Sequence, residues 1–285
     1  MSPADKIPVT VVIPVRNEER NLAIGLPRLA GFAEVVVVDS GSTDASRTIA
    51  AEHGACVVDF RWDGHFPKKR NWFLRQYTFR TPLVLFLDAD EYIDDAFKDE
   101  LQRVLPGTDC AGFVLYYDNW FAGRRLRFGD RMRKLALFRV GAGEYERIEE
   151  DSWTHLDMEV HEHPIINGRI GRLRTPIEHR DFKGLTAYID RHNAYSTWEA
   201  RRHLLLRSTT GLQLTARQWI KYALLDSPWL APLYFLGSYV LKGGFLDGRA
   251  GLLFALMKAF YLIQVKGKVD ELRRGADAKV SALEK

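Results

Sequence analysis

The sequence predicts an α/β protein: a doubly wound, mostly parallel sheet flanked by helices, followed by a C-terminal helical region. Three observations lead there. Short β-branched runs alternate with helical stretches over the first hundred residues. Small polar and acidic residues gather where those runs stop. The last third of the chain has helical rather than strand patterning and is rich in Trp, Tyr and Phe.

The runs VTVVIPV (9–15), EVVVVD (34–39), ACVVDF (55–60) and LVLFLDAD (83–90) lack polar alternation, as strands buried on both faces do. Between them, DASRTIAAEHG (44–54) has a polar start and a Gly54 stop, and KKRNWFLRQYTF (68–79) places Trp72, Phe73, Gln76 and Tyr77 on a helical repeat. DDAFKDELQRVLPG follows, with Phe97, Leu101, Val104 and Leu105 on one face and Asp94 and Asp95 at its start, where the helix dipole favours carboxylates. GFVLYYDNWFAGRRLRFGDRMRKLALFRV then reads as two strands around a turn at Gly123. Strand–helix alternation of this kind implies a sheet whose ligands bind at the carboxyl ends of its strands.

Length and composition fit one large domain with an appendage: residues 1–182 form the catalytic part, divided at 108/109, and residues 183–285 the helical part. Two cysteines, Cys56 and Cys110, exclude a disulfide framework and a structural zinc, and predict a reducing compartment. MSPADKIPVTVVIPVRNEE has the pattern of neither a signal peptide nor an anchor. Residues 165–285 hold 20 Lys and Arg against 10 Asp and Glu, whereas the rest of the chain holds 21 against 27. A basic, aromatic C-terminal third suits an anionic membrane surface or nucleic acid; the acidic first half and the lack of a stacking sheet speak against nucleic acid.

The strand ends carry the chemistry. PVRNEE and DSGSTD present small polar residues at helix starts, where backbone N–H groups bind phosphate. Neither has the glycine fingerprint of a dinucleotide fold or a P-loop. Asp44 is either a helix cap or a ligand contact. Asp39, at the tip of an all-valine strand, would accept from a base N–H or a ribose hydroxyl. LFLDADE ends in three carboxylates that repel one another unless a cation is present. On an extended chain Asp88 and Asp90 point the same way, roughly 7 Å apart, one placed for a divalent ion and the other for ribose or a metal-bound water. Oxygen ligands this few favour Mg²⁺ or Mn²⁺.

VVIPVRNEE, VVVVDSGSTD, KKRNW and LFLDADE, in this order and spacing, resemble the family 2 glycosyltransferases, inverting enzymes of the GT-A fold that use nucleotide-diphosphate sugars and a metal held by a D-x-D motif. The resemblance implies that Pro14, Arg16, Asn17, Glu18, Asp39, Ser40 and Gly41 line the nucleotide-sugar site. It places Lys69 and Arg70 near the diphosphate, Asp88 and Ala89 at the nucleotide sugar, and Asp88 and Asp90 at a Mn²⁺ or Mg²⁺ ion. MEVHEHPIINGRIGRLRTPIEHRDFK, RHNAYSTWEA and GGFLDGRAGLLFALMKAFY are similar to the subgroup with the lipopolysaccharide inner-core β-1,4-glucosyltransferases. This implies transfer of a hexose such as glucose, UDP-linked, to a lipid-anchored envelope glycan at the cytoplasmic face of the inner membrane.

An inverting displacement needs a base for the acceptor hydroxyl. The resemblance implies an acidic base after the acceptor loop and a later histidine at the metal, and by position these are Glu162 as the base, Glu159 as the second choice, and His179 as the later metal ligand. Arg124, Arg125 and Arg131 form a basic ribbon suited to phosphorylated core sugar or lipid. YALLDSPWLAPLYFLGSYVL (222–241) and AGLLFALMKAFYLIQV (250–265), interleaved with Lys and Arg, predict helices lying in the plane of an anionic membrane surface; packing on the catalytic part or an oligomer contact is the competing reading. The competing functions are a sugar nucleotidyltransferase and a non-catalytic binding module for lipid or nucleic acid.

Overall fold

The computed structural model describes residues 6–147, 163–180, 184–208, 220 and 222–283. The chain divides into two compact units, Met1–Trp120 with Arg131–Phe182, and Phe121–Asp130 with Lys183–Lys285.

The first unit opens with β1 (Ile7–Val15), α1 (Glu19–Gly25), β2 (Phe32–Asp39), α2 (Ser46–Glu52), β3 (Cys56–Asp59), α3 (Lys69–Gln76) and β4 (Leu83–Phe86). It continues through β5 (Glu91–Tyr92), α4 (Asp95–Val104), β6 (Gly112–Phe121), the short β7 (Arg124–Arg125) of the second unit, and β8 (Arg133–Arg139). Last come β9 (Gly143–Tyr145), β10 (Pro164–Ile166), β11 (Ile170–Arg172) and β12 (Ile177–Arg180). The sheet runs β3-β2-β1-β4-β8-β6-β12-β5, and β9 and β10 form a separate pair. The first four strands are parallel, and β8 joins β4 antiparallel.

Both faces of β1, β2 and β4 are largely buried, which is why these strands read as continuous apolar runs. β3 departs from that expectation, because it is the edge strand and its residues are exposed or half-buried. Val9, Val11, Ile13 and Val15 point to one core with Val37 and Leu85, covered by Leu22 of α1 and by Phe97 and Leu101 of α4. The residues between them point the other way. Val12, Val36, Val38 and Phe86 meet Phe73 of α3, Phe138 and Tyr145 in the second core. Each fully buried side chain of this size contributes about 1.5–3 kcal/mol, so the period-2 division of one strand between two cores fixes its register. Asp94 caps α4 by accepting from the Phe97 N–H at 2.9 Å. Ala122 and Gly123, both at positive φ, make the turn that follows β6.

The strand order reverses between β1 and β4: β2 and β3 add on one side of β1, and β4 on the other. The crevice outside the carboxyl ends of β1 and β4 is therefore the topological switch point, where open α/β sheets bind ligands.

The second unit is built on α5 (Gly184–Ser208), α6 (Leu230–Phe235) running into a π-helical turn (Leu236–Leu241), a 3-10 turn (Gly244–Asp247) and α7 (Gly248–Leu283). The expected helix over 222–241 is broken: turns occupy 225–229, at Asp226-Ser227-Pro228. The expected helix over 250–265 belongs to a 36-residue one, because Gly267 and Gly275 do not interrupt it. Ala200 and Leu225 pack with Val265 and Val269. Lys268 donates to Asn193 O, Ser196 Oγ and Thr197 Oγ1 at 2.6–2.8 Å, tying α7 to α5. Among the described residues one helix, Gly244–Gly275, is long and apolar enough to cross a membrane, by length and composition alone.

Candidate active site

Two loops leave the carboxyl ends of β1 and β2 and are laced together by side chains. Asn17 adopts φ +58°, a left-handed conformation that asparagine tolerates. From there its N–H donates to Ser42 Oγ at 2.9 Å, and its Oδ1 accepts from the Thr43 N–H at 2.8 Å. The Glu18 N–H donates to Ser46 Oγ, and the Glu19 N–H to Asp44 Oδ2. Asp44 thus serves the start of α1 and also accepts from the Ser46 N–H at 3.0 Å. Glu18 accepts from Asn21 Nδ2 at 2.8 Å, and Tyr92 in turn donates to Asn21 Oδ1 at 2.9 Å. A loop set by so many backbone-directed bonds is rigid before any ligand arrives.

Arg16, Ser40 and Gly41 line a cleft of about 360 Å³ with Asp59, Phe60, Arg61 and Trp62. Ser40 Oγ is buried and makes no hydrogen bond among the described residues. Asp39 does not open into this cleft. Its carboxylate is fully buried, accepts from the Gly41 and Ser42 N–H groups and from Ser42 Oγ, and pairs with Arg47 at 3.0 Å. Burial opposes its ionisation, but the bonds from Ser42 and Arg47 outweigh this and hold it below the ordinary carboxylate range. The loop that Asp39 holds through the Gly41 and Ser42 N–H groups lines the cleft through Ser40 and Gly41. Pro14 is buried at the end of β1, and Lys69, only 3% exposed, sits with Nζ 3.4 Å from Val15 O and 5.9 Å from the Phe60 ring.

The acidic stretch departs from expectation. β4 ends at Phe86, and residues 88–91 form a turn in which the Glu91 N–H donates to Asp88 O at 2.9 Å. Asp88 and Asp90 are therefore not two positions on one extended strand, and their carboxylates meet different partners. Asp88 lies between Arg70 Nη2 and Lys134 Nζ, each 2.6 Å away. Lys134 also pairs with Glu91, which is 1% exposed and accepts from the Asp88 N–H at 3.1 Å. Part of the cation that three adjacent carboxylates demand is thus supplied by the protein. Burial disfavours the Asp88 carboxylate, yet Lys134 and Arg70 outweigh it and hold the group well below its usual range. Burial pushes Glu91 upward, helped by the charge of Asp88.

Asp90 faces His179 instead, with Oδ2 3.5 Å from Nε2. Strand β12 brings the histidine there by lying between β6 and β5, with His179 opposite Asn119 on one side and Glu91 on the other. Asn119 Oδ1 lies 3.1 Å from His179 Nδ1. A proton on Nδ1 leaves Nε2 a lone pair directed at a carboxylate, an arrangement satisfied only by a further proton or a cation between them. Burial works against the imidazolium, but Asp90 outweighs it and raises the His179 pKa.

The donor set fits a hard divalent ion that keeps most of its positions for substrate and water. Asp90 and His179 are two convergent, partly open donors, with side chains 19% and 27% exposed. Among the described residues no group of three or more His, Cys, Asp or Glu gathers for a closed site. Asp88 is less suited to ligation, because both its oxygens are held by cations.

Ala89 is in the same turn. Arg131 lies 3.4 Å from Asp118 in the first unit, whereas Arg124 and Arg125 belong to the second unit and are exposed. The proposed bases Glu159 and Glu162 lie outside the described residues. Sequence reasoning missed Lys134, Asn119 and Asn71. Lys134 gave little signal, since it follows Arg133 at the head of the apolar run LALF and reads as part of a basic strand end. Asn71, fully buried, donates to Tyr145 O at 2.9 Å and accepts from the Tyr145 N–H at 2.8 Å, fixing α3 and hence Arg70 against β9.

The chain is 27% identical over 279 residues, 93% of its length and 92% of the relative's, to the lipopolysaccharide core biosynthesis glycosyltransferase LpsC of Rhizobium meliloti (strain 1021). It is 38% identical over 86 residues, 30% of its length and 38% of the relative's, to an uncharacterized glycosyltransferase of Mycobacterium bovis. Among solved structures, the mannosyltransferase PcManGT from Pyrobaculum calidifontis, in complex with GDP-Man and Mn²⁺, superposes with a TM-score of 0.53 at 15% identity, covering 94% of this chain and 88% of that one. That likeness shows a shared GT-A fold. Residues 10–156 match the model of glycosyl transferase family 2, and the chain belongs to that family.

Proposed function

We propose that the protein transfers a hexose from a UDP-linked sugar to a lipid-anchored envelope glycan of the lipopolysaccharide core type, by a metal-dependent inverting displacement at the cytoplasmic face of the inner membrane. The observation that carries the reading is the pairing of Asp90 with His179 at the switch point, beside an Asp88 held by two cations. The acceptor class rests on likeness to LpsC along nearly the whole chain. Family membership favours this reading over a nucleotidyltransferase or a binding module.

Asp90 and His179 would hold Mn²⁺ or Mg²⁺, which when bound stabilises charge on a departing diphosphate. The protein's own residues account for the rest. The 14–18 and 40–46 loops present Arg16, Ser40 and Gly41 to the nucleotide in a cleft whose shape is set in advance. Arg70 and Lys134, fixed in direction by Asp88, keep positive charge beside the leaving group. Asn119 orients His179. Glu162, or Glu159, takes the proton from the acceptor hydroxyl as that oxygen attacks the anomeric carbon. Arg124, Arg125 and Arg131 serve the phosphorylated acceptor, and residues 1–182 and 183–285 divide the work between catalysis and membrane attachment.

A screen of nucleotide sugars for slow hydrolysis, with and without Mn²⁺, tests donor and metal together. Release of UDP from one UDP-sugar only when Mn²⁺ or Mg²⁺ is present is the expected result. Equal turnover in EDTA, or release of pyrophosphate, contradicts the reading.

A further inference from the structure

The second unit turns an apolar side outward. In α7 the positions Ala250, Ala255, Ala259, Val265 and Val269 are buried, while Leu252, Leu256, Phe260 and Ile263 are 37–57% exposed. Steps of four, four and three residues place these four in one row, about 16 Å long. A helix facing water carries polar residues on that side. Here the polar residues of the row lie beyond the apolar segment, at Arg249 before it and at Glu271 and Arg274 after it, all exposed. The segment leading into α6 and its π turn repeats the arrangement: Trp229, Leu233, Leu236 and Val240 are 45–67% exposed at helical spacing.

Cations collect at the end the two helices share. Lys242, Arg249, Arg124, Arg125 and Arg127 are exposed there or in the 121–130 loop of the same unit. The acids nearby are engaged: Asp130 pairs with Lys242 at 2.8 Å, and Asp247 accepts from the Arg127 and Phe128 N–H groups.

We infer that the outward rows of α6 and α7 are a docking surface for an anionic lipid bilayer, on which the unit lies side-on with its apolar rows at the acyl boundary and its shared basic end on lipid phosphates. Charge decides between a bilayer and a second copy of the chain. A self-complementary pairing would bring like-charged basic ends toward each other's rows, whereas anionic headgroups neutralise them. An exposed tryptophan at the end of a row is also what a membrane boundary favours. Packing rather than helix length argues for a side-on placement: the opposite side of α7 is packed on α5, and the outward row covers about half of a hydrocarbon core of roughly 30 Å. The inference deepens the membrane reading above, but its test does not depend on sugar transfer.

The test is co-sedimentation of the full chain with phosphatidylcholine vesicles, with and without phosphatidylglycerol. The wild type is expected to bind the anionic vesicles, more weakly at high salt. The double variant Leu256→Glu, Phe260→Glu should bind about tenfold less, with unchanged circular dichroism and unchanged donor hydrolysis. Ile165→Glu, which adds a charge at an exposed apolar residue of the other unit, should bind as the wild type does. Brominated lipid should quench tryptophan emission in the wild type, and less in Trp229→Phe. Vesicle binding equal to wild type in the double variant overturns the inference. So does an absence of bromolipid quenching, or a lipid-free wild-type dimer that the double variant converts to monomer.

Discussion

Lys134 stands between two carboxylates of one turn, its Nζ 2.6 Å from Asp88 Oδ2 and in direct contact with Glu91. Glu91 is 1% exposed, so its charge depends on that ammonium. The stretch 88–91 is then a charged assembly with internal compensation, in which Asp88 and Glu91 face cations of the protein and Asp90 alone turns toward His179.

Lys134→Met should therefore cost stability as well as activity. Removing the partner of a buried carboxylate is worth about 3 kcal/mol, and urea unfolding of the variant should show it as a lowered midpoint with unchanged slope. Lys134→Arg should restore most of the loss. A Met variant as stable as the wild type would mean that Glu91 does not rely on the pair.

Asn71 makes a two-point clamp with the backbone of Tyr145. Asn71→Ala removes both bonds to the buried Tyr145 backbone, at about 3 kcal/mol in total. Because α3 also carries Arg70, donor hydrolysis should fall by more than the loss of folded protein explains. Denaturant titration and activity per folded molecule separate the two effects.

The helical unit should weaken in acid. Burial lowers the pKa of His203 below its ordinary 6.5, and Asp226 beside it is held below the usual range because His203, Arg273 and Arg207 outweigh its own burial. In both cases the unfolded chain binds protons more readily than the folded one. Their stabilisation is complete above about pH 6.5 and is lost as pH falls, first for His203 and then for Asp226. Thermal unfolding at a series of pH values should show this decline, and His203→Gln should flatten its upper part. A midpoint that rises from pH 7 to 5 would reverse the sign.

Much of this was legible in the sequence, for local reasons. The valine runs of β1 and β2 have no alternative to burial on both faces, and Asp94 announces the start of α4 by its position. The acidic turn was harder. Its composition demanded a cation, but two of the cations come from Arg70 and Lys134, 18 and 46 residues away from Asp88. Only the antiparallel insertion of β8 beside β4 brings Lys134 there, and no local pattern encodes that pairing. Asp39 was legible as special and not as buried, because the Ser42 and Arg47 bonds that enclose it arise from the loop's conformation. The length of α7 escaped for the opposite reason: Gly267 and Gly275 lower helix propensity by only about 1 kcal/mol each, which tertiary packing overrides.

The most direct measurement is Mn²⁺ binding followed by the electron paramagnetic resonance of the free ion, in the presence of UDP, for the wild type, Asp90→Asn and His179→Ala. The wild type should sequester the ion when the nucleotide is present. Each variant should lose that binding by about tenfold or more and lose transfer by about 10³-fold, as expected when several kcal/mol of charge stabilisation are removed. Undiminished Mn²⁺ binding in both variants, or full transfer by either of them in EDTA, would contradict the assignment of the Asp90–His179 pair.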